Sequence, residues 1–162
     1  MASPLPKPRV FTDADVLFAG AASPGEHGAS LLILRMAEIG LIEAFASRQV
    51  ITEAERNLAE NRTADFPRSD KLRRALPAFS LLAHRCLQIV PDPSPEVLPR
   101  FAGMAQAKDL PILVAAVEAA CPWLVTFNGR HFQPGHPEVT VLRPGEFVMR
   151  VRHLLAYLSR DK

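Results

Sequence analysis

Strand-like and helix-like segments alternate along the whole of this 162-residue chain. That alternation predicts an α/β fold: a mostly parallel sheet of about five strands with helices on both faces, arranged as three α/β/α layers. Two further observations point the same way. Acidic residues fall at the ends of apolar runs, where a parallel sheet presents side chains at its strand carboxyl ends. A hydrophobic content of 48% with 22% charged residues excludes wholesale disorder, and the length suits one domain with a sizeable core.

The elements follow from periodicity and punctuation. Met1 to Pro8 is proline-rich and lacks the long apolar stretch of a signal peptide, so 1–8 reads as a flexible lead-in to one domain over 9–162. Arg9 to Thr12 is the first strand. Gly28 to Ile39 shows helical spacing at Leu31, Leu34 and Ala37, and Gly40 ends it. Leu41 to Ala46 is a second strand, and the Ser47 hydroxyl caps the next helix by accepting a free amide of its first turn. Ser69 to His84 is helical with Leu72, Leu76, Phe79, Leu82 and Ala83 inward, and Pro77 breaks or kinks it.

Cys86 to Val90 forms the third strand, and 91–95 is a loop by its prolines. Ala107 to Ala120 is a helix opened by Asp109. Trp123 to Thr126 and Val139 to Leu142 complete the sheet. A closing helix, Gly145 to Ser159, puts Phe147, Val148, Val151, Leu154, Leu155 and Leu158 on one stripe that faces the core or a second copy.

Composition narrows the function classes. The most apolar stretch, Leu110 to Val125, is interrupted by Glu118 and Pro122 and is too short for a membrane span. Cys86 and Cys121 lie far apart in apolar segments, which reads as reduced, buried thiols of a cytoplasmic protein. A net charge of +2 says little about partners. The local cluster Arg68, Lys71, Arg73 and Arg74 around Asp70 reads first as a solvated helix face and second as a nucleic-acid contact.

The acids carry the chemistry. Asp13 follows an apolar strand; it either caps the next turn or ligates a metal, with Asp15 free to take the cap. Glu53 and Glu55 both flank the stripe of Val50, Ile51, Ala54 and Leu58, and periodicity does not choose between them; Asn57 lies one turn beyond Glu53. Asp109 before Leu110-Pro111 suits a helix N-cap, where the helix end also favours an ionised carboxylate. Asn128 stands at another strand end, in an Asn-Gly turn signal. His131 has no second histidine or cysteine at zinc-like spacing. Carboxylates gathered this way supply the hard oxygen ligands that suit Mg²⁺ or Mn²⁺, and so point to phosphodiester chemistry.

Together these segments resemble the PIN-domain family, in particular the PIN-type toxins of bacterial toxin-antitoxin pairs, the VapC-like ribonucleases. The resemblance runs over nearly the whole chain. Its first motif is matched by Asp13-Ala14-Asp15-Val16-Leu17, although the family often has Asn where Asp15 stands. The second resembles Ser47 through Leu58, with the acid six residues after the serine and a leucine five further on, which selects Glu53 over Glu55. The third, and most specific, is Lys108-Asp109 with the apolar Ile112 to Ala116 and then Val125-Thr126. The family commonly carries a fourth acid two residues after that threonine; this chain has Asn128.

The resemblance implies a metal-dependent endoribonuclease acting on single-stranded or loop RNA, an antitoxin protein as partner, and a homodimer. It assigns Asp13 and Asp109 as principal Mg or Mn ligands and Glu53 as a ligand through water or a base orienting the attacking water. Asn128 becomes an aligner, and Thr126 and Arg130 contact the substrate phosphate. Asn128 offers a carbonyl oxygen but no charge, so affinity for a second metal falls unless Asp15 compensates. Two alternatives stand beside this. Asp13-Ala14-Asp15-Val16 also resembles the nucleophile motif of haloacid-dehalogenase-type phosphatases, but the distal acidic pair is absent. A PIN-like RNA- or protein-binding module that has lost its chemistry with the fourth acid is the other.

Overall fold

Five short parallel strands form the sheet, in the order β3-β2-β1-β4-β5. They are β1 (Arg9–Thr12), β2 (Glu43–Ser47), β3 (Leu87–Val90), β4 (Trp123–Val125) and β5 (Thr140–Leu142). The computed structural model describes residues 6–22, 28–60 and 70–160, the side chains of 22 and 70–75 excepted. The central strand reads as a continuous apolar run because both of its faces are covered. Phe11 pairs with Phe45 of β2 on one side and with Leu124 of β4 on the other, and both Val10 and Phe11 are fully buried.

Helices α1 (Ala14–Ala22), α2 (Gly28–Glu38), α3 (Arg48–Glu60) and α4 (Asp70–Cys86) lie on the β1-β2-β3 half, with α1 against α2 and α3, and α3 against α4. The chain then crosses back over the sheet to β4. On the other face, α5 (Leu110–Glu118) packs on β2 and β4. The closing α6 (Pro144–Arg160) packs on α2. The result is the three-layer α/β/α arrangement that the alternation predicts.

The strand order reverses between β1 and β4, and this reversal positions the site. In an open parallel sheet the loops on either side of such a switch point diverge, leaving a crevice at the strand carboxyl ends. Asp13, Thr126 and Asn128 all sit there.

Local chemistry explains the helix ends. After α2, the Gly40 amide donates to the Ala37 carbonyl (3.0 Å) and the Leu41 amide to the Met36 carbonyl (2.9 Å), with Gly40 at φ +74°. This is a Schellman closure on glycine, and it delays β2 to Glu43, two residues later than the pattern predicts. The Ser47 hydroxyl accepts from the Val50 amide (3.4 Å), and Asp92 beyond β3 accepts from the Gln49 amide (2.8 Å), so α3 is capped from two strands.

Three expectations need correction. Helix α1 has no counterpart in the periodicity, because Val16, Leu17, Phe18 and Ala19 bury it on almost every side and leave no stripe to read. Pro77 does not end α4, which continues to Cys86, so that cysteine closes a helix instead of opening a strand. The stripe of α6 is divided. Phe147 and Val151 are buried and Val148 is half-buried, whereas Leu154, Leu155 and Leu158 are more than 40% exposed. Both cysteines are buried and free, and burial pushes the Cys121 thiol up to about 12. No described helix is long and apolar enough to cross a membrane. The basic cluster at 68–74 and most of the lead-in at 1–8 lie outside the described residues and side chains.

Candidate functional site

The site begins where β1 stops. The Asp13 amide donates to the Val125 carbonyl (3.1 Å), extending the β1–β4 pairing one residue beyond β1. Its own carbonyl accepts from Leu17 (3.3 Å), so Asp13 is also the residue from which α1 starts. One carboxylate oxygen, Oδ1, accepts from the Ala14 amide (2.7 Å), and Oδ2 accepts from the Thr126 hydroxyl (2.8 Å).

Asp15, in the first turn of α1, reaches to the loop after β4. Its Oδ2 accepts from the Phe127 amide (3.0 Å) and from Asn128 Nδ2 (3.0 Å) and lies 3.4 Å from the Thr126 hydroxyl. Asn128 closes this knot, its amide donating to Thr126 Oγ1 (3.0 Å). The two acids thus share tasks that the sequence assigns separately. Asp13 starts the helix and also faces the site, while Asp15 binds the β4 loop instead of capping.

Thr126, expected to meet substrate, is fully buried, and its hydroxyl donates to Asp13. It positions the acid. Arg130 is exposed on the 3-10 turn Gly129–Phe132 that follows the loop. Asp109 precedes α5 without a side-chain capping bond; its Oδ2 lies 3.1 Å from His131 Nδ1, at ion-pair distance but out of line for a hydrogen bond. The loops that carry this pair are tied by the Gln106 amide donating to the His131 carbonyl (2.7 Å). Sequence reading missed this histidine neighbour, and a separation of 22 residues with no motif left no signal for it.

The acids feel one another. The Asp13 carboxyl is pushed up to about 7, first by burial and then by the Asp15 charge, with a smaller contribution from Asp109, against the bonds from Thr126 and Ala14 that pull the other way. Asp15 is also raised, first by burial, against the bonds it accepts from the backbone and from Thr126, with the Glu53 charge contributing. Glu53, half-buried on α3, is therefore near enough to be felt at Asp15, and it is the glutamate that the motif spacing selects over Glu55.

Among the described residues, no three His, Cys, Asp or Glu side chains stand close enough together to enclose a metal ion. The donor chemistry nonetheless fits a hard divalent cation. Asp15 Oδ1 and Asp109 Oδ2 are buried oxygens with no hydrogen-bond partner, the donor type such a cation takes, and its charge would offset the repulsion that adds to the effect of burial at Asp13.

A family model described as the PIN domain matches residues 9–130, three quarters of the chain. Among solved structures, the crystal structure of VapBC2 from Rickettsia felis, bound to a DNA fragment from its promoter, is similar in fold. Its TM-score is 0.54 at 13% identity, over 83% of this chain and 98% of that one. No curated protein sequence matches the chain.

Proposed function

Because the chain belongs to the PIN-domain family, we propose that it is a Mg²⁺- or Mn²⁺-dependent endoribonuclease of toxin type that hydrolyses RNA phosphodiester bonds at the β1–β4 switch point. The observation that carries this reading is the Asp13–Asp15 pair: a buried and a half-buried acid of raised proton affinity, pinned by one loop, with Asp15 Oδ1 left without a hydrogen-bond partner. A structural acid is buried with its partners complete. This pair is held incomplete.

Asp13 and Asp109 would hold the ion, with Glu53 a ligand through water. When bound, the divalent ion neutralises the crowded acids, polarises the phosphoryl oxygens and lowers the pKa of the attacking water. The chain's own residues do the rest. Thr126 and Asn128 fix the orientation of Asp13 and Asp15. Glu53, half-buried on α3, accepts a proton from the water as its oxygen attacks phosphorus, the P–O bond to the leaving RNA strand breaks, and the departing oxygen takes a proton from solvent. Arg130 offers its guanidinium to the substrate backbone. Asn128 supplies a donor where the family commonly has an acid, which leaves the site built around one ion.

The Rickettsia felis neighbour is a toxin-antitoxin assembly, and by analogy a small antitoxin restrains this nuclease in the cytoplasm. The exposed Leu154, Leu155 and Leu158 on α6 favour a homodimer through that face. A Leu154→Glu, Leu158→Glu variant that sediments like wild type removes α6 from that role.

The deciding experiment incubates mixed RNA with the protein in Mn²⁺, Mg²⁺ and EDTA beside identically prepared Asp13→Asn and Asp109→Asn variants. Cleavage that requires metal and vanishes in both variants supports the nuclease. Identical traces from all three proteins sink it and favour the binding module, whose RNA binding would survive EDTA. Turnover of a small chromogenic phosphate ester would instead favour the phosphatase.

A further inference from the structure

A cavity of about 340 Å³ opens beside the carboxylates, between the starts of two helices. Gly28, Ala29 and Ser30 of α2 form one wall, and Arg143 with the first turn of α6, Pro144 to Glu146, forms another; Phe127 lies between them. Phe127 is the residue whose amide binds Asp15, so cavity and acids share a backbone segment.

Four features of the walls suit a phosphate. Helices of 11 and 17 residues both begin here, each leaving first-turn amides without intrahelical partners and the positive end of its dipole on the cavity. Arg143 is exposed, and its guanidinium carbon lies 5.8 Å from the centre of the Phe127 ring, which steadies it at the rim. Ser30 is fully buried, and its hydroxyl has no hydrogen-bond partner. Such a group costs free energy unless a ligand satisfies it. The size completes the argument, since 340 Å³ is at the low end of small-molecule sites and admits one nucleotide unit.

The approach of α1 to α2 holds Ser30 in place. A Cβ on Gly20 would come within 3.3 Å of the Ser30 carbonyl carbon and 3.0 Å of Leu34 Cδ1, so glycine there lets α1 press α2 against the cavity. Glu146 is the opposing element, an exposed carboxylate in the first turn of α6.

We propose that this cavity is a second phosphate subsite, taking a backbone phosphate of the RNA strand that flanks the bond to be cut. Arg143 supplies the charge, Ser30 a hydroxyl donor, and the two helix starts the positive ends of their dipoles. Glu146 limits the affinity for a phosphate that arrives without the rest of the strand. The subsite rests on the nuclease reading for its role and on its own geometry for its existence.

The test is binding of a labelled twelve-nucleotide RNA in EDTA, in both the wild-type and the Asp13→Asn backgrounds, with inorganic phosphate as competitor. Arg143→Ala should weaken binding about tenfold and reduce the slope of log affinity against log salt by about 0.7, the loss of one contact to a single strand. Ser30→Ala should weaken it about two- to fivefold without lowering the melting temperature, because the hydroxyl has no partner in the free protein. Glu146→Gln should tighten it. Unchanged affinity and slope in Arg143→Ala overturn the subsite, whatever the cleavage assays give. Phosphate competition lost in Arg143→Ala while RNA binding stays constant identifies a site for free phosphate, which also overturns the proposal. RNA binding that depends on Arg143 and Ser30 without any metal-dependent cleavage upholds the subsite and refutes the nuclease.

Discussion

The two ends of β1 spend charge in opposite ways. At its amino end, Arg9 donates to Glu43 at 2.9 Å and to the Ala119 carbonyl at 2.7 Å, and its guanidinium lies 4.4 Å from the centre of the Phe45 ring. Opposite charges meet there and bind strands together. The carboxyl end, four residues on, gathers acid beside acid and leaves two of their oxygens without a donor. The larger cavity, about 730 Å³ and walled by residues such as Pro8, Cys121, Trp123 and Val139, opens at the amino end. It holds no cluster of acids. The two ends thus differ in what they gather: the amino end has the larger cavity, and the switch point has the acids.

The largest test of that contrast is catalytic. Asp13→Asn and Asp109→Asn should each lower RNA cleavage on the order of 10²-fold or more, the scale of removing a group that works on the reacting centre. Arg9→Met at the other end should leave cleavage within about twofold. Its cost should appear in urea melts, at about 1 kcal/mol or less for the ion pair, because the two side chains are 39% and 33% exposed. A comparable loss of cleavage from both ends would erase the distinction.

The second test is the pH dependence of stability in EDTA. Asp13 has a carboxyl of pKa about 7 in the fold against 3.8 in the unfolded chain, so between these values the folded state holds the extra proton. Its preference for the fold is complete below about pH 4 and is lost as pH climbs through 7, by up to about 4 kcal/mol. The difference between wild type and Asp13→Asn in urea-midpoint stability should track this window and shrink when Mn²⁺ is added. A difference that is flat with pH would mean that the fold does not raise the Asp13 carboxyl.

Asn128→Asp sharpens the same point. It replaces the donor on Asp15 by a like charge, so the metal-free protein should lose about 1–2 kcal/mol. Mn²⁺ affinity measured by calorimetry should rise about tenfold. Weaker Mn²⁺ binding in this variant would show that the asparagine is needed for its hydrogen bond alone.

The smallest effect belongs to the quiet end. Helix α5 closes as α2 does, with the Cys121 amide donating to Ala116 and the Ala120 amide to Val117, both at 3.0 Å. Where α2 has Gly40, α5 has Ala120 at φ 52°, in the left-handed region that penalises a Cβ. Ala120→Gly should raise stability by about 0.5–1 kcal/mol in thermal melts and leave cleavage alone.

Most of the sheet was legible because parallel strands with both faces buried are apolar runs bounded by glycine, proline and acids. The strand at Arg9–Thr12 matches to the residue. Helix α1 was not legible, since a helix buried all round has no polar face to mark its period. At the site, the positions of Asp13, Asp109 and Asn128 followed from strand and helix ends. Periodicity could not separate Glu53 from Glu55, and the family motif did. The roles of Thr126 and His131 depend on distances between loops far apart in sequence, and no local pattern encodes those.

The knot between Asp13 and Thr126 joins residues 113 positions apart. N-terminal segments are made first, at about 5–20 residues per second, so roughly 6–23 s separate the synthesis of Asp13 from that of Thr126. During that time β1 has only β2 beside it, and the acid lacks the hydroxyl and the loop that aim it. A nascent chain therefore has no assembled switch-point site until the fourth strand slides in next to the first.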